Sequence, residues 1–198
     1  MTQTATRTDQ ASSVHPQLAQ LGGSMITSTA AKALAVLRIS TGFVYLWAFL
    51  DKTFGLGYAT PSAKAWINGG SPTKGFLASV QVGPFQYFFH AIAGTWWANG
   101  LFMLGLLAIG VALIAGVAMR IAAISGVVML AMMWLAEVPF AQFTSAGEPT
   151  GSPNPFADSH YIYAIVLIVL AATYAGTTWG LGRTWARLPF VNRNRWAQ

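Results

Sequence analysis

Six ionisable side chains in this sequence have the types and positions to do chemistry together: Asp51, Lys52, His90, Glu137, Asp158 and His160. Glu137 or Asp158 could relay protons, and burial of such a carboxyl would raise its pKa towards neutral, which suits that task. Lys52 and His160 could donate hydrogen bonds to carbonyl groups. Trp134, Tyr163, Phe49 and Phe54 would surround them with rings. Apolar walls around a few convergent polar groups suit a small hydrophobic ligand. A quinone meets those terms. Its ring stacks on aromatics, its tail sits in lipid, and its two carbonyls need donors and proton carriers. Glu137, His160 and Lys52 are therefore the candidate catalytic residues. Asp51, Asp158, His90, Trp134 and Tyr163 are the candidate binding residues.

Each assignment has a structural alternative. Asp158 and Ser159 are placed to cap a helix N-terminus. Lys52 could carry its ammonium out to the interface, or pair with Asp51 or Glu137. Glu137 and His160 could be solvated interfacial groups. His90 and His160 show no ligand spacing, so no haem or metal site is expected.

The elements that must position these residues follow from composition. Of 198 residues, 55% are hydrophobic and 8% charged, against roughly 25% charged in an ordinary soluble domain. That excludes a soluble globular enzyme and a disordered chain. The absence of cysteine removes disulfides, thiolate metal sites and thiol catalysis. An all-α integral membrane protein remains. Apolar segments at about 29–50, 101–119, 121–137 and 159–177 are each near the roughly 20 residues that cross a bilayer. In hydrocarbon their amides must bond internally, so they are helices. The expected fold is a four-helix bundle over residues 29–180, preceded by a polar tail, 1–28, and followed by a basic segment, 181–198.

Two loops, 51–95 and 139–158, lie on one side. In the first, residues 76–80 and 85–90 are too apolar for free loop and too short to span, so amphipathic or re-entrant helices are expected. In the second, prolines stiffen the chain, and Phe140, Phe143 and Phe156 could fold it back as a lid. Arg7, Lys32, Arg38, Arg120, Arg183, Arg187, Arg193 and Arg195 fall on the other side, against Lys52, Lys64 and Lys74 on the loop side. The positive-inside rule then puts both termini in the cytoplasm. The basic C-terminal segment is expected on anionic lipid, with docking to a protein as the alternative. Nucleic acid is not expected as a partner.

Ala108, Ala112 and Gly116, Ala122 and Gly126, and Ala172 and Gly176 recur at helical spacing and would let helix backbones approach closely. Trp47, Trp96, Trp97, Trp134, Trp179 and Trp185 lie near the expected helix ends, as an aromatic belt should. Arg38 sits two to three turns inside the first helix, where a charge costs on the order of 2.5–3.5 kcal/mol on insertion scales. It either reaches back to the interface or faces the bundle and bonds carbonyls at the break near Arg120. A structural role is the favoured reading for both arginines.

Arg38-Ile-Ser-Thr-Gly-Phe-Val-Tyr-Leu46, leading to Asp51-Lys52, resembles the first-helix signature of the DoxX/DoxD family of bacterial membrane proteins. Gly116-Val-Ala-Met-Arg-Ile-Ala-Ala123 resembles that family's second-to-third hairpin. The four-span layout and long first outer loop agree over about residues 30–180. The resemblance implies a bacterial plasma-membrane subunit of a redox system, of the thiosulfate:quinone oxidoreductase kind, passing electrons from an outer sulfur donor to quinone. Partners would be membrane lipid, other subunits of a membrane redox complex, or further copies of the chain. Unlike many members, the chain has no acidic residue over 101–119, and without cysteine any sulfur chemistry must use a partner or non-thiol groups. The alternative function, from another class, is a non-catalytic scaffold or accessory subunit of a respiratory or oxidative-stress complex.

Overall fold

The computed structural model describes residues 26–152 and 154–197. The tail expected over residues 1–28 lies outside them as far as residue 25. Among the described residues there are eight α-helices and no strand. They are α1 (Ser28–Phe54), α2 (Lys74–Ala78), α3 (Gln86–Ile92), α4 (Trp96–Ala115), α5 (Met119–Glu137), α6 (Ser159–Ala172), α7 (Gly182–Ala186) and α8 (Pro189–Arg193). Three of them, α1, α4 and α5, are long and apolar enough to cross a membrane. The fourth apolar helix, α6, has 14 residues, a rise of about 21 Å. It is shorter than the expected 159–177. Tyr174 takes a left-handed conformation with φ of 51°, and the chain continues as a 3-10 turn, Ala175–Thr177.

Helix α1 packs along α4, and α5 along α6, while α4 and α5 form a hairpin. One apolar core joins Tyr45 of α1, Met103, Leu106 and Leu113 of α4, Leu130 of α5, and Leu167 and Leu170 of α6. The outside is as apolar as the inside. Phe43, Leu101, Leu104, Ile124, Val128 and Ile165 are exposed, and even α4 buries only 39% of its apolar window. Such a surface suits a hydrocarbon surround.

The small residues do two different jobs. Gly110 of α4 lies directly against the α1 backbone at Gly42 and Leu46. A Cβ on Gly110 would lie 2.8 Å from the Leu46 amide nitrogen and 3.1 Å from the Gly42 carbonyl oxygen. Of the expected stripes, Gly116 and Gly176 do approach closely, a Cβ on Gly116 lying 2.9 Å from the Gly176 carbonyl oxygen, and Ala122 is in the core, while Ala108 and Ala112 also line a groove between α4 and α5. Gly126 does lie against a neighbouring helix, at Leu167.

The tight α4–α5 turn leaves the last four carbonyls of α4 to be satisfied from elsewhere. The Gly116 amide, in a left-handed cap with φ of 72°, bonds Ala112 and Leu113. The buried Arg38 guanidinium donates Nη1–H bonds to the Leu113 and Ile114 carbonyls. The Leu181 amide takes the Ala115 carbonyl at 2.8 Å. Arg38 Nη2 also donates to Thr178 at 3.3 Å and Trp179 at 3.0 Å. Arg38 therefore faces the bundle, as the second of its two readings requires. Arg120 donates to the Tyr174 hydroxyl at 2.9 Å and stacks over its ring, which holds the start of α5 to the end of α6.

The segment after α6 is not an extended tail. Trp185 donates its indole N–H to the Ala197 carbonyl at 2.7 Å, and Val191 and Ala197 are buried. Enough apolar surface lies among its arginines to fold it into α7, α8 and a terminal turn.

Between α1 and α4, α2 and α3 stand where short amphipathic helices are expected. Val80 and Phe89 form a small second core with Ala136. Asn99 anchors this loop. Its Oδ1 accepts from Ser71 Oγ, Thr73 N and Thr73 Oγ1, and its Nδ2 donates to the Gly94 carbonyl. That explains why α4 starts at Trp96 rather than Leu101: a polar first turn is kept because it holds the preceding loop.

Candidate functional site

Three of the candidate residues meet where α5 ends and α6 begins. Glu137 is the last residue of α5. Asp158 is the N-cap of α6 and accepts the Tyr161 amide through Oδ1 at 2.9 Å. His160 stands in the first turn, with Nδ1 2.9 Å from Asp158 Oδ2 and 3.4 Å from Glu137 Oε2. The capping reading and the site reading of Asp158 are thus both realised, one with each oxygen. Burial pushes the Asp158 carboxyl up, but the Tyr161 amide and His160 together outweigh it and hold the group below the usual aspartate range. This reverses the upward shift expected for a buried carboxyl, and leaves Asp158 a fixed anion rather than a proton relay. An ionised acceptor at 2.9 Å assigns the Nδ1 proton to His160. Its Nε2 has no partner among the described residues.

Rings flank this cluster on one side. Trp134, one turn before Glu137, packs its ring against Phe140 and Phe156, with centroids 6.0 and 5.8 Å apart. Its indole N–H donates to the Phe156 carbonyl at 2.9 Å. Phe156 packs on Tyr161 at 4.9 Å. Of the three expected lid phenylalanines, Phe140 and Phe156 thus reach Trp134 with one ring edge while remaining largely exposed, and Phe143, equally exposed, sits instead at an isolated bridge to Pro149. Tyr163 makes no hydrogen bond or ring contact with the cluster among the described residues. Phe49 packs on the main core and Phe54 is exposed.

The other candidates lie elsewhere. Lys52 forms no ion pair with Asp51 or Glu137 among the described residues and lines the α4–α5 groove. His90 sets Nε2 2.8 Å from the Val80 carbonyl and closes the loop around α3. Asp51 is buried, and its two carboxylate oxygens accept the amides of Tyr58 at 3.2 Å and Ala59 at 3.0 Å. Its work is to fold the chain back after α1. Asp51→Ala takes the acceptor from two part-buried amides at a surface turn, at the low end of the roughly 1–3 kcal/mol for an unsatisfied group. Thermal unfolding in detergent should fall by about 5 °C, with ligand binding at Glu137 and His160 unchanged.

One imidazole nitrogen and two carboxylate oxygens, all within 4.8 Å of one another, are a donor set that could also hold a divalent cation. His90, considered with His160 on sequence grounds, takes no part in it. The set was legible only in part from sequence, because Glu137 and Asp158 are separated by a loop whose return path has no sequence signature. Neither a protein family, nor a curated protein, nor a solved structure matches the chain.

Proposed function

We propose that this chain is a DoxX-like, multi-pass subunit of a redox system in the bacterial plasma membrane, which binds quinone beside Glu137 and His160. The observation that carries the reading is the meeting of those two residues across the α5–α6 junction, at 3.4 Å, next to the Trp134–Phe140–Phe156 rings. Reducing a quinone to its quinol takes up two electrons and two protons. In this reading the imidazolium form of His160 gives its Nε2 proton to one quinone oxygen while its Nδ1–H stays on Asp158, the protonated Glu137 carboxyl gives the second proton to the other oxygen, and both groups take their protons back from the outer aqueous side. The electrons come from a donor outside the chain, a small reduced sulfur compound in the reading that the resemblance supports. The apolar exterior of α1, α4 and α5 supports a lipid setting, with α6 and its following turn as the fourth element of a four-helix bundle. The basic excess at the Arg38 end supports cytoplasmic termini.

The test uses the purified full chain, a short-tailed quinone and reconstituted electron transfer from a reduced sulfur donor. Quinone should quench fluorescence in the native chain and much less in Trp134→Phe. Glu137→Gln should bind quinone but transfer to it about 100-fold more slowly, the low end of a general acid's contribution. No quenching in the native chain, together with an unchanged rate in Glu137→Gln, would overturn the proposal.

A further inference from the structure

The groove between α4 and α5 belongs to a different chemistry from the Glu137 cluster. It has a volume of about 930 Å³, near the top of the roughly 300–1,000 Å³ common for small-molecule sites. Leu101, Gly105 and Ala108 line it from α4, with Ser125 and Met129 from α5. Phe76 and Leu77 close it at one end, where Lys52 and Trp97 also lie.

Three features of that end select an occupant. First, Lys52 is half-buried and has no ion-pair or hydrogen-bond partner among the described residues. Second, none of the chain's five acidic residues lines the groove, and nearby Asp51 spends both oxygens on backbone amides. The ammonium therefore stands without an ion-pair partner among the described residues at the head of an apolar channel. Third, Lys52 is the sole titratable group in the lining. A quinone carbonyl would find no proton relay here, whereas a headgroup phosphodiester with no ammonium of its own to balance it keeps a net negative charge at neutral pH and needs only a fixed cation. The Trp97 indole N–H, also without a partner among the described residues, is a second donor at the same end.

We propose that the α4–α5 groove is a binding site for one anionic phospholipid, with its acyl chains between the two helices and its phosphate on Lys52. The occupant arrives sideways from the bilayer, since the groove opens on the apolar exterior. A single lysine facing an anionic headgroup is worth about fivefold in affinity, so the site discriminates by charge at one position and by apolar fit along the rest. It does not depend on quinone binding.

Native mass spectrometry of the full chain, given equal amounts of phosphatidylglycerol and phosphatidylcholine with the same acyl chains, tests it. The native chain should retain phosphatidylglycerol about fivefold over phosphatidylcholine. Lys52→Gln should retain the two about equally, and Lys52→Glu should favour phosphatidylcholine. Glu137→Gln, which alters the quinone site, should keep the native preference. Equal retention by the native chain, or an undiminished preference in Lys52→Gln, would overturn the proposal. A groove filled by any lipid regardless of headgroup would appear as the first of those results.

Discussion

Replacing Arg38 with methionine should lower the unfolding temperature of the protein in detergent by roughly 10 °C or more. Two effects of opposite sign compete. Removing a charge from an apolar helix relieves on the order of 2.5–3.5 kcal/mol of insertion cost. Were that all, Arg38→Met would stabilise. The guanidinium, however, is fully buried and serves four carbonyls: Leu113 and Ile114 at the end of α4, and Thr178 and Trp179 beyond α6. Orphaning a buried acceptor costs roughly 1–3 kcal/mol, and four together exceed the relief. A net loss of about 4 kcal/mol corresponds to roughly 10 °C at this chain length. Arg38→Lys should recover less than half of it, because an ammonium is a point donor and cannot span two carbonyl pairs as a planar fork does. Thermal unfolding followed by helical circular dichroism decides the sign. An Arg38→Met protein at or above the native temperature would show that the clasp contributes nothing.

The second large effect is at the α1–α4 crossing. Gly110→Leu should destabilise by about 3 kcal/mol or more, and Gly110→Ala by less. Glycine inside a helix costs about 1 kcal/mol relative to alanine, so propensity alone favours both changes. Packing opposes them. The added Cβ meets the Leu46 nitrogen and the Gly42 oxygen, which are backbone atoms and cannot rotate aside. Overpacking of this kind costs typically 1–3 kcal/mol, and leucine extends the clash. Gly100, on the same helix, has nothing within 4 Å of its Cβ position. Gly100→Ala is the matched control and should be neutral or stabilising by up to about 1 kcal/mol. Similar unfolding temperatures for Gly100→Ala and Gly110→Ala would remove the close-approach argument.

The long apolar helices were legible in the sequence because length and hydrophobicity are one-dimensional properties. Arg38 was legible for a related reason: a charge so deep in an apolar run must find acceptors, and the nearest chain break offered them. What sequence could not show was pairing across distance. Small residues at helical spacing do not say which members meet a helix and which line an open groove: Gly116 meets Gly176 and Gly110 meets Gly42, whereas Ala108 and Ala112, at the same spacing, line the groove. Lys52 and Glu137 both end a helix on one side, which suggests a shared site, yet which faces those helices turn to one another depends on packing angles. Asn99 does carry a sequence signal: an amide in the first turn of an otherwise apolar helix needs partners, and Ser71 and Thr73 supply them.

The Arg38 clasp has a consequence for biosynthesis. Its first two acceptors lie 75 and 76 residues downstream, and its last two 140 and 141. At about 5–20 residues per second, a ribosome needs on the order of ten seconds after making Arg38 before the final carbonyls exist. Until then the nascent first span holds a guanidinium without its full set of acceptors. The full clasp can therefore close only once residues 178 and 179 have been made, so the order of synthesis makes that closing turn the last part of the Arg38 hydrogen-bond set to form.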